Sequence, residues 1–273
     1  TGSAAESILL SGHDRTVNTV AFSSDSNWLI SGANNLLLWN IQDLQNSPEV
    51  KPVILKGQRS TVISAAFSSN GQWLVAGLSD GTIRVWSTTH LRSNPDSLPY
   101  VLRGHTRQVS GLTFSPDNSL LISASEDHTL LKWSLAELDS DALSLPESLI
   151  GHEGWTIAMA FSPSGRWLAT GGHDNMLRIW DMENPNVLPM LLKGDANPIL
   201  YVTFDPFNRR LAIASMNKTA KVWDFDKLAT RTGEGTPVTL EQQDWVTSVA
   251  FSHNGRFLAT GSQDGSTRLY DLL

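Results

Sequence analysis

Cysteine is absent from the 273 residues, which removes disulfides, thiolate metal sites and cysteine nucleophiles together. No stretch approaches the roughly 20 consecutive apolar residues that a membrane-spanning helix needs, and no basic start followed by an apolar segment marks a secretory leader. Charge is sparse as well. Charged residues make up 17% of the chain against 40% hydrophobic ones, so a large core can be buried. Lys and Arg number 20 against 27 Asp and Glu, a net charge of -7. Such a chain would hold nucleic acid or anionic lipid against its own field, so neither is an expected partner. Together these absences point to a globular, cytoplasmic chain. The opening Thr1-Gly2-Ser3, without Met, reads as a piece of something larger.

What is present is a repeat, the first thing to seek in a chain of this length. A Phe closes a short apolar run at Phe22, Phe67, Phe114, Phe161, Phe204 and Phe251, in steps of 45, 47, 47, 43 and 47 residues. A second aromatic series follows at Trp39, Trp86, Trp133, Trp180, Trp223 and Tyr270, 19 residues after the Phe in five repeats and 17 after it in the first. Each unit reads as strands separated by turns. In the fourth, an apolar run ends at Phe161, Ser162-Pro163-Ser164-Gly165 is turn chemistry, and Trp167 to Gly171 is apolar again. After His173-Asp174-Asn175 the chain alternates, placing Leu177 and Ile179 on one face and Arg178 and Trp180 on the other. A short run such as Met190 to Leu192 supplies a fourth strand, the content of a propeller blade. The repeats run approximately over 7–45, 52–92, 99–139, 147–184, 189–228 and 237–273, and a single domain over 1–273 is expected.

Gly12-His13, Gly104-His105 and Gly151-His152 open repeats, and Trp180-Asp181, Trp223-Asp224 and the variant Tyr270-Asp271 close them. In these pairs the chain resembles the WD-repeat family, and the resemblance covers all six units. It implies an all-β, six-bladed propeller of four-stranded antiparallel blades, each unit giving the outer strand of one blade and the inner three of the next. Ile8-Leu9-Leu10 would then close the ring by pairing with the strand ending at Tyr270, removing the exposed edge. A seven-bladed parent lacking one blade is the alternative. Phrases such as Phe161 to Gly171 also resemble propellers appended to bacterial multidomain signalling proteins.

Two units combine a hydroxyl, His and Asp with the Trp: His105, Ser123, Asp127 and Trp133, then His152, Thr170, Asp174 and Trp180. The residue types are those of a hydrolytic triad. A nucleophile, however, needs a pocket and an oxyanion site, and an active site has no reason to be copied at equivalent positions. The resemblance implies structural hydrogen-bond networks instead, and no catalytic residue, metal ligand or cofactor is assigned. The other units are incomplete. The first keeps His13, Ser31 and Trp39 but has a turn shortened by two residues and lacks the Asp; the second has Gln58, Ala76, Asp80 and Trp86; the fifth has Asp195, Ile213 and Asn217; the sixth has Gln242, Thr260, Asp264 and Tyr270. These four are expected to be softer.

In the WD-repeat family the face carrying the Gly-His turns is the usual docking face. Position by position, that puts Arg59, Gln108, Glu126, Trp155, His173, Met216 and Trp245 on the rim of this chain. Trp and Arg are the commonest interface anchors, so Trp155 and Trp245 lead the candidates, against the alternative that each indole packs between blades. The functional expectation is an interaction scaffold or sensor module, monomeric as this fragment, that binds a protein or peptide within a larger regulatory protein. A small-molecule sensor is the first alternative. A metal-dependent propeller hydrolase is a weaker one, because channel-lining positions are mainly Ala, Ser, Thr and Gly, with the bulky Tyr201 as an exception.

Overall fold

A computed structural model describes residues 7–46, 50–138, 145–194, 196–229 and 235–273. Six antiparallel sheets follow one another along the chain. The first holds β1 (Thr19–Phe22), β2 (Trp28–Gly32), β3 (Leu36–Asn40) and β4 (Val53–Ile54); the second holds β5 (Val62–Phe67), β6 (Trp73–Leu78), β7 (Ile83–Ser87) and β8 (Tyr100–Leu102). The third is built from β9 (Val109–Phe114), β10 (Leu120–Ser125), β11 (Leu130–Ser134) and β12 (Glu147–Leu149). The fourth has β13 (Thr156–Phe161), β14 (Trp167–Gly172), β15 (Met176–Asp181) and β16 (Met190–Lys193); the fifth has β17 (Ile199–Phe204), β18 (Arg210–Ser215), β19 (Thr219–Asp224) and β20 (Val238–Glu241). The sixth has three strands, β21 (Val246–Phe251), β22 (Phe257–Ser262) and β23 (Thr267–Asp271). The chain divides into two compact units, 1–112 and 113–273.

The hairpin turn between the first two strands shows why these sequences fold as they do. Ser23 Oγ donates to Asp25 Oδ1 at 2.6 Å and accepts from the Trp28 N–H at 3.0 Å, so one hydroxyl closes the turn. Ser68, Ser162 and Ser252 accept from Trp73, Trp167 and Phe257 in the same way. The fourth turn residue takes a positive φ in every repeat, at Ser26, Gly71, Asn118, Gly165, Asn208 and Gly255. Small or amide side chains tolerate that region best, which explains their recurrence there.

Within the first unit, β2, β3 and β6 bury Ile30, Leu36, Leu38, Leu74 and Leu78 together with Trp86 of β7. In the second unit Trp167, Ile179, Ile199, Val202, Phe204 and Trp223 form one cluster between the fourth and fifth sheets, while Val222, Val246, Val249 and Leu258 join the fifth to the sixth. Neighbouring sheets approach closely where glycine ends a second strand. A Cβ on Gly32 would stand 2.6 Å from Val62 Cγ1, and one on Gly171 would stand 2.7 Å from Ile199 Cγ2, so nothing larger than hydrogen fits.

Two features depart from the sequence reading. Ile8, Leu9 and Leu10 were expected as the closing strand but carry no strand pairing; Ile8 and Leu9 are exposed, and Leu10 instead packs beside Leu37 and Trp39. Five sheets take their outer strand from the repeat that follows, and only Leu272 and Leu273 follow β23 in this sequence. The polar connectors after the Trp residues are not simple loops either. They contain α1 (Ile41–Asn46), α2 (Thr88–Ser93) and α3 (Phe225–Ala229), which bury Leu44, Leu91 and Leu228.

Candidate functional site

The strand-end turns opposite those Ser-closed hairpins carry the expected networks, and the fourth sheet shows one complete. Register sets it up: Thr170 of β14 lies across from Arg178 of β15, and Leu168 across from Trp180. The Trp180 indole N–H donates to Thr170 Oγ1 at 2.9 Å, and Thr170 Oγ1 lies 2.8 Å from His152 Nε2. His152 Nδ1 is 2.9 Å from Asp174 Oδ2. One direction of donation satisfies all three contacts: indole to hydroxyl, hydroxyl to Nε2, and Nδ1–H to carboxylate. The Glu153 N–H donates to the same carboxylate oxygen at 3.2 Å. Arg178 completes the arrangement, donating from Nη1 to Asp174 Oδ2 at 2.6 Å and from Nη2 to the Gly151 carbonyl at 2.5 Å. Burial works against the charged form of Asp174, but the His152 hydrogen bond and charge, the Glu153 N–H and Arg178 outweigh it and hold the carboxyl well below the ordinary carboxylate range.

Each other sheet is a partial version. In the third, the Trp133 indole donates to Ser123 Oγ at 2.8 Å and Asp127 Oδ1 accepts from the Thr129 N–H at 2.9 Å. His105 is buried and belongs to the first compact unit, whereas Ser123, Asp127 and Trp133 belong to the second. In the first sheet His13 Nε2 lies 2.7 Å from Ser31 Oγ, which accepts from Trp39 Nε1 at 2.9 Å, and burial lowers the His13 pKa. In the sixth, Gln242 Nε2 donates to Thr260 Oγ1, and Arg268 Nη1 donates to Gln242 Oε1 at 2.7 Å and to Asp264 Oδ2 at 3.3 Å. Arg268 thus stands where Arg178 stands in the fourth. Sequence reasoning gave no role to this arginine position, although the alternation that put Arg178 on the Trp180 face was the signal. In the fifth repeat Asp195 lies outside the described residues, and Lys221 donates to the Gly194 carbonyl at 2.6 Å.

The second sheet is the exception. Ala76 lies across from Arg84, so no hydroxyl meets Trp86, whose indole N–H has no hydrogen-bond partner. Gln58 Oε1, Ser60 Oγ and Arg84 Nε and Nη1 are likewise buried without partners.

Of the rim residues, Arg59 and Gln108 belong to the first unit and Glu126, Trp155, His173, Met216 and Trp245 to the second. Trp155 and Trp245 are 38% and 39% exposed. Both are fixed through their backbone, because the His173 N–H donates to the Trp155 carbonyl at 2.8 Å and the Gln263 N–H to the Trp245 carbonyl at 2.9 Å. The structure brings Trp155 and His173 together as an edge-to-face pair with ring centroids 5.2 Å apart. Arg59 and His173 are exposed, while Gln108, Glu126 and Met216 are half-buried. The Met216 N–H donates to Pro198 O at 3.1 Å, the same backbone link that holds the two indoles.

Cavities lie at the other end of the sheets. In the first unit a cleft of about 230 Å3 is lined by Trp28, Phe67 and Leu91, with Arg92 and Asp25 paired at 2.7 Å beside it. In the second unit one of about 780 Å3 is lined by Phe207, Arg209, Arg210, Trp223 and Arg256. Among the described residues no three His, Asp or Glu side chains gather in a way that could hold a metal ion, and no helix is long and apolar enough to cross a membrane.

Two curated proteins are similar over part of their length. Nuclear distribution protein PAC1 of Komagataella phaffii is 39% identical over 83 residues, covering 30% of this chain and 16% of that one. A coronin-like protein of Saccharomyces cerevisiae is 33% identical over 82 residues, covering 30% of this chain and 12% of that one. The matched stretch is therefore a small part of either relative. The family model for the WD domain, G-beta repeat, matches residues 6–40, 50–87, 96–134, 144–181, 187–224 and 235–271, so six times over, across most of its length, the chain belongs to the WD40 repeat family.

Proposed function

We propose that the chain is a non-catalytic interaction module in which the six repeats make one domain over 1–273, and that its Gly-His-turn face binds a protein or peptide within a larger regulatory protein of the cytoplasm. WD40 repeats in general serve as protein-binding scaffolds, and that general role is the part the family membership carries. The face rests on one observation. Trp155 and Trp245 occupy equivalent rim positions and leave more than a third of their surface open to solvent instead of packing between sheets. A large indole held by its backbone loses little conformational freedom when a partner covers it, which is why such residues dominate binding energy.

The test compares affinity capture from the source lysate by the wild type and by a Trp155→Ala, Trp245→Ala double variant with an unchanged melting temperature. At least one protein retained by the wild type should be lost or strongly depleted. If every captured protein is retained equally by both, the rim reading is wrong.

A further inference from the structure

Arg84 of β7 is only 7% exposed, yet its Nε and Nη1 make no hydrogen bond. The equivalent residues are anchored: Arg178 by Asp174 and the Gly151 carbonyl, Arg268 by Gln242 and Asp264. In the second sheet the corresponding carboxylate is diverted. Asp80 Oδ1 accepts from the Thr82 N–H at 3.0 Å and from the Thr82 hydroxyl at 2.6 Å, and no ion pair joins Asp80 to Arg84 among the described residues. Other positive charges stand near instead. Burial lowers the Arg84 pKa most, and the repulsion of Arg103 and Arg59 lowers it further against the attraction of Asp80. Arg59 lies in the loop before β5 and Arg103 directly follows β8, and both are exposed. Ser60 Oγ, one residue beyond Arg59, is a further buried donor without an acceptor.

A buried guanidinium without a counter-charge is strongly destabilising, so a fold that keeps one has a use for the charge or receives its neutralisation from outside. Resting on the reading of a protein partner above, we propose that Arg84, Arg59 and Arg103 bind a phosphate group carried on a side chain of that partner. Charge selects phosphate over carboxylate. Three guanidinium groups against the single carboxylate of Asp80 leave two positive charges, and a phosphate monoester carries about -1.5 to -2 at pH 7. Geometry selects it too, because several guanidinium forks can each address a different phosphate oxygen. On a chain of net charge -7 this cluster is a local exception, which favours a short-range, specific contact over general attraction of polyanions. The neighbouring Gln58 Oε1 and Trp86 Nε1 are an acceptor and a donor that bound water can satisfy.

The experiment titrates the intact chain with inorganic phosphate at constant ionic strength, read by heat of binding and by melting temperature, with acetate as the parallel arm. Phosphate should bind saturably and raise the melting temperature, with acetate at least about tenfold weaker, a difference of about 1.4 kcal/mol. Arg84→Met should abolish the effect. Because that buried change can unsettle the fold, an Arg59→Ala, Arg103→Ala double variant at exposed positions is measured beside it. It should weaken phosphate at least about tenfold while leaving the phosphate-free melting temperature unchanged. No saturable phosphate binding, or wild-type binding in the double variant, overturns the site. Phosphatase treatment of the lysate should deplete proteins captured by the wild type, and unchanged capture overturns the phosphoprotein source. None of the phosphate readouts depends on Trp155 or Trp245, so failure here and failure of the rim reading are separately visible.

Discussion

The fourth and second sheets carry the same scaffold and opposite chemistry. In the fourth, Thr170 faces Arg178 across the ladder, and every polar group from Trp180 to Asp174 has a partner. In the second, Ala76 faces Arg84, and the loss of one hydroxyl together with the change from His to Gln leaves five buried atoms in that sheet and its preceding loop unpaired. Both sheets nonetheless keep their strands, their register and a buried Trp. Apolar packing between sheets therefore suffices to form a repeat, and the network adds stability and order on top of it. Where the network is dismantled, its polar groups become available for other uses.

Three measurements sharpen that contrast. The largest effect is expected for His152→Ala, which removes a ring bonded through both nitrogens and strands Thr170 and Asp174 in a buried setting. A loss of about 3 kcal/mol in chemical denaturation is expected, since each orphaned buried partner costs about 1–3 kcal/mol. Gln58→Ala, whose Oε1 already has no partner, should stay within about 0.5 kcal/mol of wild type. Equal losses for the two would erase the distinction between the sheets.

Next comes the acid limb of stability. Asp174 is held below the ordinary carboxylate range, so its contribution is complete above about pH 4, the unfolded value, and drains away as pH falls from there towards the folded value. Asp174→Asn should be less stable than wild type at neutral pH, and the gap should narrow as the pH drops below about 4. A gap of constant size through that range would show that the carboxylate charge contributes nothing. The smallest change is a gain: Ala76→Ser returns a hydroxyl opposite Arg84, within the reach that Ser123 has to Trp133, and should stabilise by about 1 kcal/mol. A melting temperature at or below that of wild type would mean that Trp86 already has its partner in water.

The repeat was plain in the sequence because it rests on spacing. The Phe and Trp series, the Ser-closed turns and the aligned His, hydroxyl and Trp positions are all local patterns, and the six sheets and the fourth network follow from them. Other features depend on what lies across a sheet or beneath a connector. Arg178 was visible on the Trp180 face, but its hold on Asp174 comes from a turn and a ladder partner that spacing does not describe. Leu91 and Leu228 looked like single apolar residues in polar connectors, and one buried side chain in a short helix leaves little periodicity to detect. The fate of Ile8 to Leu10 depended on competition, since Leu10 had a nearby apolar cluster to join. Exposure of the two indoles could not be read at all, because a Trp before a strand fits a packed and an open position equally well.

The glycines that end β2 and β14 have a consequence for how such a chain can change. Gly32 leaves room for Val62, and Gly171 for Ile199, each pair straddling the border between one repeat and the next. The third and fifth repeats carry Ala124 and Ala214 at the same strand position, followed by Thr156 and Val246. Borders of two kinds thus run through one chain. A repeat cut out and spliced elsewhere brings half of a border with it, and the halves are not all alike. Duplication can copy these units freely, but shuffling them is restrained by a single methyl group.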